Sequence, residues 1–105
     1  MPVRLIKPNQ NLRVRINAPR RVDLRFTVEA DRPVRTLVFD EAGLKSFDQG
    51  EDGRVAEYHS EARRLLEDRV TLPAGTSYLV IMNTDKQDPV AVRYEVSLGA
   101  VAYVT

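Results

Sequence analysis

The stretch Val70–Leu98, VTLPAGTSYLVIMNTDKQDPVAVRYEVSL, decides how the rest of the chain is read. In Tyr78-Leu79-Val80-Ile81-Met82 both alternating sets of side chains are apolar, the pattern of a central strand that is buried on both faces or crossed by a covering element. In Val90 to Leu98 the even positions are apolar and the odd ones small or polar, which gives a strand one core face and one wet face. Pro73-Ala74-Gly75-Thr76 is a turn leading into the first of them, and the stretch reads as two long neighbouring strands of an antiparallel sheet.

Upstream, the same period of two recurs. Leu5-Ile6 starts a short strand, and the polar Pro8-Asn9-Gln10-Asn11 turn follows. Leu12, Val14 and Ile16 alternate with Arg13, Arg15 and Asn17, and Val22, Leu24, Phe26 and Val28 alternate with charged or hydroxyl residues; the two runs predict a hairpin broken at Asn17-Ala18-Pro19-Arg20. Ala30-Asp31-Arg32-Pro33 closes the second run, because proline withholds a ladder donor. Val34 to Phe39 is the next strand, Asp40-Glu41-Ala42-Gly43 a turn, and Leu44 to Phe47 a further short strand. The period changes after the polar loop Asp48–Gly53: Val55, Tyr58, Ala62, Leu65, Leu66 and Arg69 fall at helical spacing among good helix formers, predicting a short helix at about 55–67. The competing reading is an irregular crossover ending in a strand with Leu66, Val70 and Leu72 inward.

Seven to eight strands joined by short turns predict one mainly β domain over residues 1–105, an antiparallel β-sandwich of jelly-roll-like type. Its expected core contains Leu12, Val14, Ile16, Val22, Leu24, Phe26, Val28, Val38, Tyr78, Val80, Val92, Tyr94 and Val96. Leu72-Pro73-Ala74-Gly75-Thr76-Ser77-Tyr78-Leu79-Val80-Ile81-Met82-Asn83 with Val90–Val96 resembles the "L-P-A-G-x-Y-x-L-V-V-x-N … V-x-Y-x-V" ending of jelly-roll modules such as bacterial pre-peptidase C-terminal domains and GOLD domains. Val34–Asp40 is similar to their "V-x-x-x-V-x-D" strand. The resemblance covers about a third of the chain and departs from it at 54–69 and in the missing secretion signal. It implies a non-catalytic binding, adaptor or folding-assistance unit and no particular substrate.

The 105 residues include no cysteine, which excludes a disulfide framework, a thiolate nucleophile and a thiolate metal site. The N-terminus lacks the apolar run of a signal peptide, and no stretch has the length of a membrane span. The expectation is a soluble, cytoplasmic protein that needs no cofactor and does not insert in membranes. A net charge of +1 hides an asymmetry: residues 1–35 hold nine basic and three acidic side chains, a net of +6, and residues 36–105 hold seven and twelve, a net of −5. Strands from the two halves are expected to pair and neutralise one another across the sheet. Thirteen arginines against three lysines are in keeping with a coding bias of the source genome.

Catalytic and metal motifs are weak. His59 is the only histidine, so a multi-histidine metal site is excluded within one chain, and Ser46, Ser60, Ser77 and Ser97 lie in no nucleophile motif. An exposed, inert His59 is expected. Asp40, Asp48, Glu51, Asp52, Asp85 and Asp88 make a calcium-dependent sandwich a minor alternative, although solvated turn residues account for them better and the spacing is not that of an EF-hand. An N-terminal proline after methionine removal is the base of small tautomerases, but here strand follows strand where those chains place a helix. There is no P-loop, G-x-G-x-x-G or H-E-x-x-H. The chain is therefore read as a non-enzyme that recognises another protein or self-associates, with Val101 and Tyr103 in a C-terminal edge strand, Val101-Ala102-Tyr103-Val104, as the binding residues. The alternative is anion or nucleic-acid binding by a row of Arg13, Arg15, Arg21, Arg25 and Arg35, if their strands are adjacent; near-neutral charge and the absence of interleaved aromatics weigh against nucleic acid.

Overall fold

The computed structural model describes residues 3–50, 56 and 58–100. They form a mainly β chain with one short helix: β1 (Arg4–Ile6), β2 (Asn11–Ala18), β3 (Val22–Asp40), α1 (Glu41–Asp48), β4 (Tyr58–His59), β5 (Arg63–Leu72), β6 (Gly75–Asn83) and β7 (Val90–Ala100). All strand pairings are antiparallel and belong to one sheet of order β1-β7-β3-β6-β2, with β4 and β5 also on β3. The sheet curls on itself into a half-barrel.

The long strand β3 is the axis of this curl. Its first half, Val22–Ala30, lies between β5 and β7; its second half, Val34–Asp40, lies against β6, with β4 opposite Leu37 and Val38. The register slips between Glu29 and Val34, at the Ala30-Asp31-Arg32-Pro33 segment. The sequence places a break there, and the structure instead bends the strand through it. A bulge lets the chain change direction without leaving the ladder, and it turns the two halves of β3 into two wings of one sheet. Asp31 is held in the bend, its carboxylate accepting the Ala91 N–H at 2.9 Å.

The even-numbered side chains of β2, β3, β5 and β7 and the odd ones of β6 meet on the inner face. Leu24, Phe26, Val28, Val38, Leu79, Ile81, Val90 and Val92 are all at most 2% exposed, and Leu12, Val14, Val70, Tyr94 and Val96 pack around them half-buried. Of the expected core, Leu12, Val14, Tyr94 and Val96 thus sit at its rim, and Tyr78 and Val80 belong to a second cluster on the outer face.

That second cluster explains the two-faced apolarity of β6. Leu37, Phe39 and Val80 are fully buried beneath Leu44 of α1, with Phe47, Tyr78 and Met82 around them, and the Phe39 and Phe47 rings stand 5.0 Å apart. The helix forms because Asp40 caps it, its carboxylate accepting the Gly43 N–H at 2.6 Å, while Glu41 and Lys45 sit at the ends that suit their charge. The expected turn at 40–43 and strand at 44–47 are thereby replaced by α1.

Three further expectations are corrected. The helix at about 55–67 is not formed: Tyr58–His59 and Arg63–Leu72 are strands, Leu66 and Leu72 point into the core, and Leu65 is 63% exposed; positions 55 and 57 lie outside the described residues. Pairing with the apolar first half of β3 supplies β5 with ladder bonds and burial that a charged three-turn helix lacks, so tertiary context overrides propensity. The hairpin of β2 with β3 is likewise absent, since β2 pairs with β6 from Asn11↔Met82 to Ala18↔Gly75. Nor are β6 and β7 neighbours: each is zipped to β3, on opposite wings. The link between β5 and β6 is tight, with Gly75 at φ 115°, a conformation that favours glycine.

Asn83 locks the far end of β6. Buried to 2% exposure, its amide donates to the Ile6 carbonyl at 3.0 Å and the Asp88 carbonyl at 2.9 Å, and its oxygen accepts the Asp85 N–H at 2.9 Å. One side chain thus joins β1, β6 and the loop to β7.

Candidate functional site

The five arginines of the expected row are dispersed. Arg13 and Arg15 lie on β2, Arg21 in the turn before β3, Arg25 on the first half of β3 and Arg35 on the second; β2 is separated from β3 by β6. Arg13 is occupied as well. Its two terminal nitrogens reach both oxygens of Asp48 at the end of α1, one arm at 3.0 Å and the other at 2.5 Å, a fork that pins the helix to the outer face of β2. The hydrogen bond from Arg13 holds the Asp48 carboxyl below the ordinary carboxylate value. Arg35 donates weakly to the Ser60 carbonyl at 3.4 Å. Val101 and Tyr103, and with them the expected C-terminal edge strand, lie outside the described residues, as do Met1, Pro2, Glu51 and Asp52.

The loop acids also have local duties. Asp40 caps α1, and Asp85 accepts the N–H groups of Gln87 at 2.8 Å and Asp88 at 3.0 Å, which, with Arg32 nearby, keep its carboxyl below the usual range. Arg32 bridges Asp85 and Asp88 at 3.4 and 3.1 Å. Among the described residues no three of His, Asp and Glu gather in a way that could hold a metal ion. Every ion pair among the described residues joins an arginine of the first 35 positions to an aspartate beyond them, at the end of α1 or in the loop before β7 and not between paired strands.

His59 is exposed on β4, and the neighbouring Ser60 is consumed by structure: its hydroxyl accepts the Thr36 N–H at 3.1 Å and donates to the Glu61 carbonyl at 2.9 Å. Tyr58 is the more perturbed residue. Its ring stands edge-on to Phe26 at 5.2 Å, its hydroxyl donates to Asp68 at 2.8 Å, and burial followed by that carboxylate raises its pKa to about 12.

Two surfaces remain open. The first is the free side of β7. β1 covers only Val90, Ala91 and Val92, and among the described residues no strand pairs with Arg93–Ala100 on the side away from β3. The edge of β5 is studded with charge, carrying Arg63, Arg64, Glu67, Asp68 and Arg69, and β2 carries Arg13 and Arg15. Along β7 only Arg93 and Glu95 are charged, and Leu98 is 46% exposed. The second surface is the outer face of the β5-β3-β7 wing, where Arg25, Thr27, Glu67, Arg69, Glu95 and Ser97 line an open groove of about 550 Å³. Sequence reasoning missed this groove because it placed neither β5 nor β7 beside Arg25. No helix among the described residues is long and apolar enough to cross a membrane.

The sequence matches no protein-family model and no curated protein.

Proposed function

We propose that this chain is a non-catalytic recognition module of the jelly-roll sandwich type, which engages another protein or a second copy of itself by strand addition. The jelly-roll reading is supported by the pairing order. If β3 is counted as strands 3 (Val22–Ala30) and 4 (Val34–Asp40), so that β4 to β7 become strands 5 to 8, the eight strands fall into the orders 1-8-3-6 and 2-7-4-5, the arrangement of two interlocked Greek keys. That order is in keeping with the resemblance to pre-peptidase C-terminal and GOLD-like domains.

The observation that carries the recognition reading is the edge of β7 from Arg93 to Ala100. An edge strand presents unpaired N–H and C=O groups, and natural sheets usually protect such a row with lysine, proline or dense charge. β5 is protected in this way and β7 much less so. An incoming strand would continue the ladder through main-chain bonds and cover Tyr94, Val96 and Leu98 at the rim of the core. Val101 and Tyr103 follow in the sequence, in the alternate register to Tyr94, Val96 and Leu98, within the apolar run Val101-Ala102-Tyr103-Val104.

The test is light scattering across a salt series on the intact chain, on Leu98→Lys and on a chain ending at Ala100. Strand addition between copies survives high salt, since charge is screened over about 8 Å at physiological ionic strength while ladder bonds and apolar burial are not, and it is lost in Leu98→Lys. Association that salt abolishes, or that Leu98→Lys leaves intact, overturns the β7 edge. A monomer under all conditions overturns self-association.

A further inference from the structure

In the groove on the outer face of the β5-β3-β7 wing, the register aligns residues in rows across three strands. Arg69 lies opposite Arg25, and Arg25 lies opposite Ser97; one step along, Glu67 and Glu95 lie on either side of Thr27. Two arginines directly opposite on adjacent strands repel each other, and sheets ordinarily place an opposite charge there. Here the nearest carboxylates outside the two rows already accept hydrogen bonds. Asp23 accepts the Thr71 hydroxyl at 2.8 Å, and Asp68 accepts the Tyr58 hydroxyl and the Arg69 N–H, each at 2.8 Å. Among the described residues, the ion pairs are those of Arg13 and Arg32, and none of Arg25, Arg69, Glu67 and Glu95 takes part in one. A row of two guanidiniums with a hydroxyl therefore faces a row of two carboxylates across a groove of about 550 Å³.

We propose that this groove binds a zwitterionic ligand, with Arg25 and Arg69 taking its oxyanion and Glu67 and Glu95 taking its cation. Guanidiniums present forked N–H donors that match the two oxygens of a carboxylate or phosphate, and two of them side by side bracket one such group, with the Ser97 hydroxyl at the end of the row. The carboxylate row sits one pleat repeat away, about 7 Å along the strands. It repels a simple dianion and selects a ligand that carries a positive group at that distance. The site is independent of the β7 edge, because it uses side chains on the sheet face and leaves the main chain of the edge untouched.

The experiment is a titration of the intact ¹⁵N-labelled chain, followed by amide shifts, with ε-aminocaproate, caproate and inorganic phosphate as probes. The first carries both charges on a chain of suitable reach, the second only the carboxylate, and the third only an oxyanion. ε-Aminocaproate is expected to move the amides of Arg25, Thr27, Glu67, Arg69 and Ser97 saturably and to bind about tenfold more tightly than caproate, the gain of one well-placed charge contact. Arg25→Gln with Arg69→Gln removes binding of both, whereas Glu67→Gln with Glu95→Gln erases only the preference for the amino compound. These positions are exposed, so unchanged spectra outside the groove verify folding of the variants. The absence of a saturable shift with ε-aminocaproate overturns the site. Equal affinity for caproate, or tighter binding of phosphate than of ε-aminocaproate, overturns its zwitterion selectivity.

Discussion

The two halves of β3 have similar apolar content and different surroundings. Val34–Asp40 is buried on both faces, because α1 lies over Leu37 and Phe39 while Val34, Thr36 and Val38 face the core. Val22–Ala30 is buried on one face only, and Asp23, Arg25, Thr27 and Glu29 point to the open side of the wing. One strand thus serves a sealed wing and an open one. The difference shows where rigidity and recognition are placed: the sealed wing has its outer face filled by a helix, and the open wing offers a groove and the free side of β7.

The sharpest way to break this contrast is to remove a ring from the sealed wing. Phe39→Ala empties space between α1 and the sheet, where Phe47 stands against it, and is expected to cost about 3–5 kcal/mol. Thr27→Ala, on the open face of the same strand, is expected to stay within about 0.5 kcal/mol. Urea unfolding of both variants measures the gap, and similar losses would mean that the helix does not seal the outer face.

Next in size is a pair of proline substitutions that separates α1 from β5. Ser46→Pro, inside α1, removes a helical donor and clashes with the preceding turn, at a cost of about 3 kcal/mol. Ala62→Pro falls at an exposed bend just before β5 and is expected to cost less than about 1 kcal/mol, since a proline there lies outside the helix and the ladder. The opposite ranking would restore the helix to 55–67.

These variants also mark what was legible in the sequence. The period of two gave β2, the first half of β3 and β7 close to their limits, because a wet face and a dry face leave alternation in the residues, and continuous apolar runs gave the second half of β3 and β6. The unbroken apolar run of β6 announced a covering element, but α1 itself was hidden: eight residues with one caps signal, Asp40 to Gly43, read equally as a turn. β5 was hidden by its charge. Leu65 and Leu66 stand side by side, which blurs alternation, and only partnership with β3 shows that one is core and the other surface. The groove was illegible for a further reason. Arg25, the Glu67 and Arg69 of β5, and Glu95 lie in three segments far apart in sequence and meet only through register, which local pattern does not determine.

A smaller effect of opposite sign tests the sealed wing from inside. Thr36 is fully buried, and its hydroxyl has no hydrogen-bond partner among the described residues. Thr36→Val keeps the shape and removes the stranded polar group, so it is expected to stabilise by up to about 1 kcal/mol, read as a higher urea midpoint at unchanged slope. A loss of stability would show that the hydroxyl is satisfied.

The smallest expected effect concerns the tie between the wings. Tyr58 pairs through β4 with the sealed half of β3, yet its ring meets Phe26 and its hydroxyl donates to Asp68 on β5, both on the open wing. Its pKa rises from 10.0 to about 12 in the fold. A group with a raised folded value contributes stability that is complete below its unfolded value and is lost as pH climbs through the folded one, so this contribution fades between pH 10 and about 12. Asp68 behaves in the opposite sense. The Arg69 N–H, and after it the Tyr58 hydroxyl, lower its pKa from 3.8, so its contribution is present above that value and disappears as pH falls below it. Urea midpoints measured from acid to alkali on the intact chain and on Tyr58→Phe separate the two limbs. The variant is expected to lose less stability than the intact chain between pH 10 and about 12, because the titrating hydroxyl is gone. Its acid limb should also become shallower, since Asp68 keeps the backbone donor and loses the phenol. Parallel curves across both limbs would show that the hydroxyl does not join the wings and that the Phe26 contact alone holds Tyr58 in place.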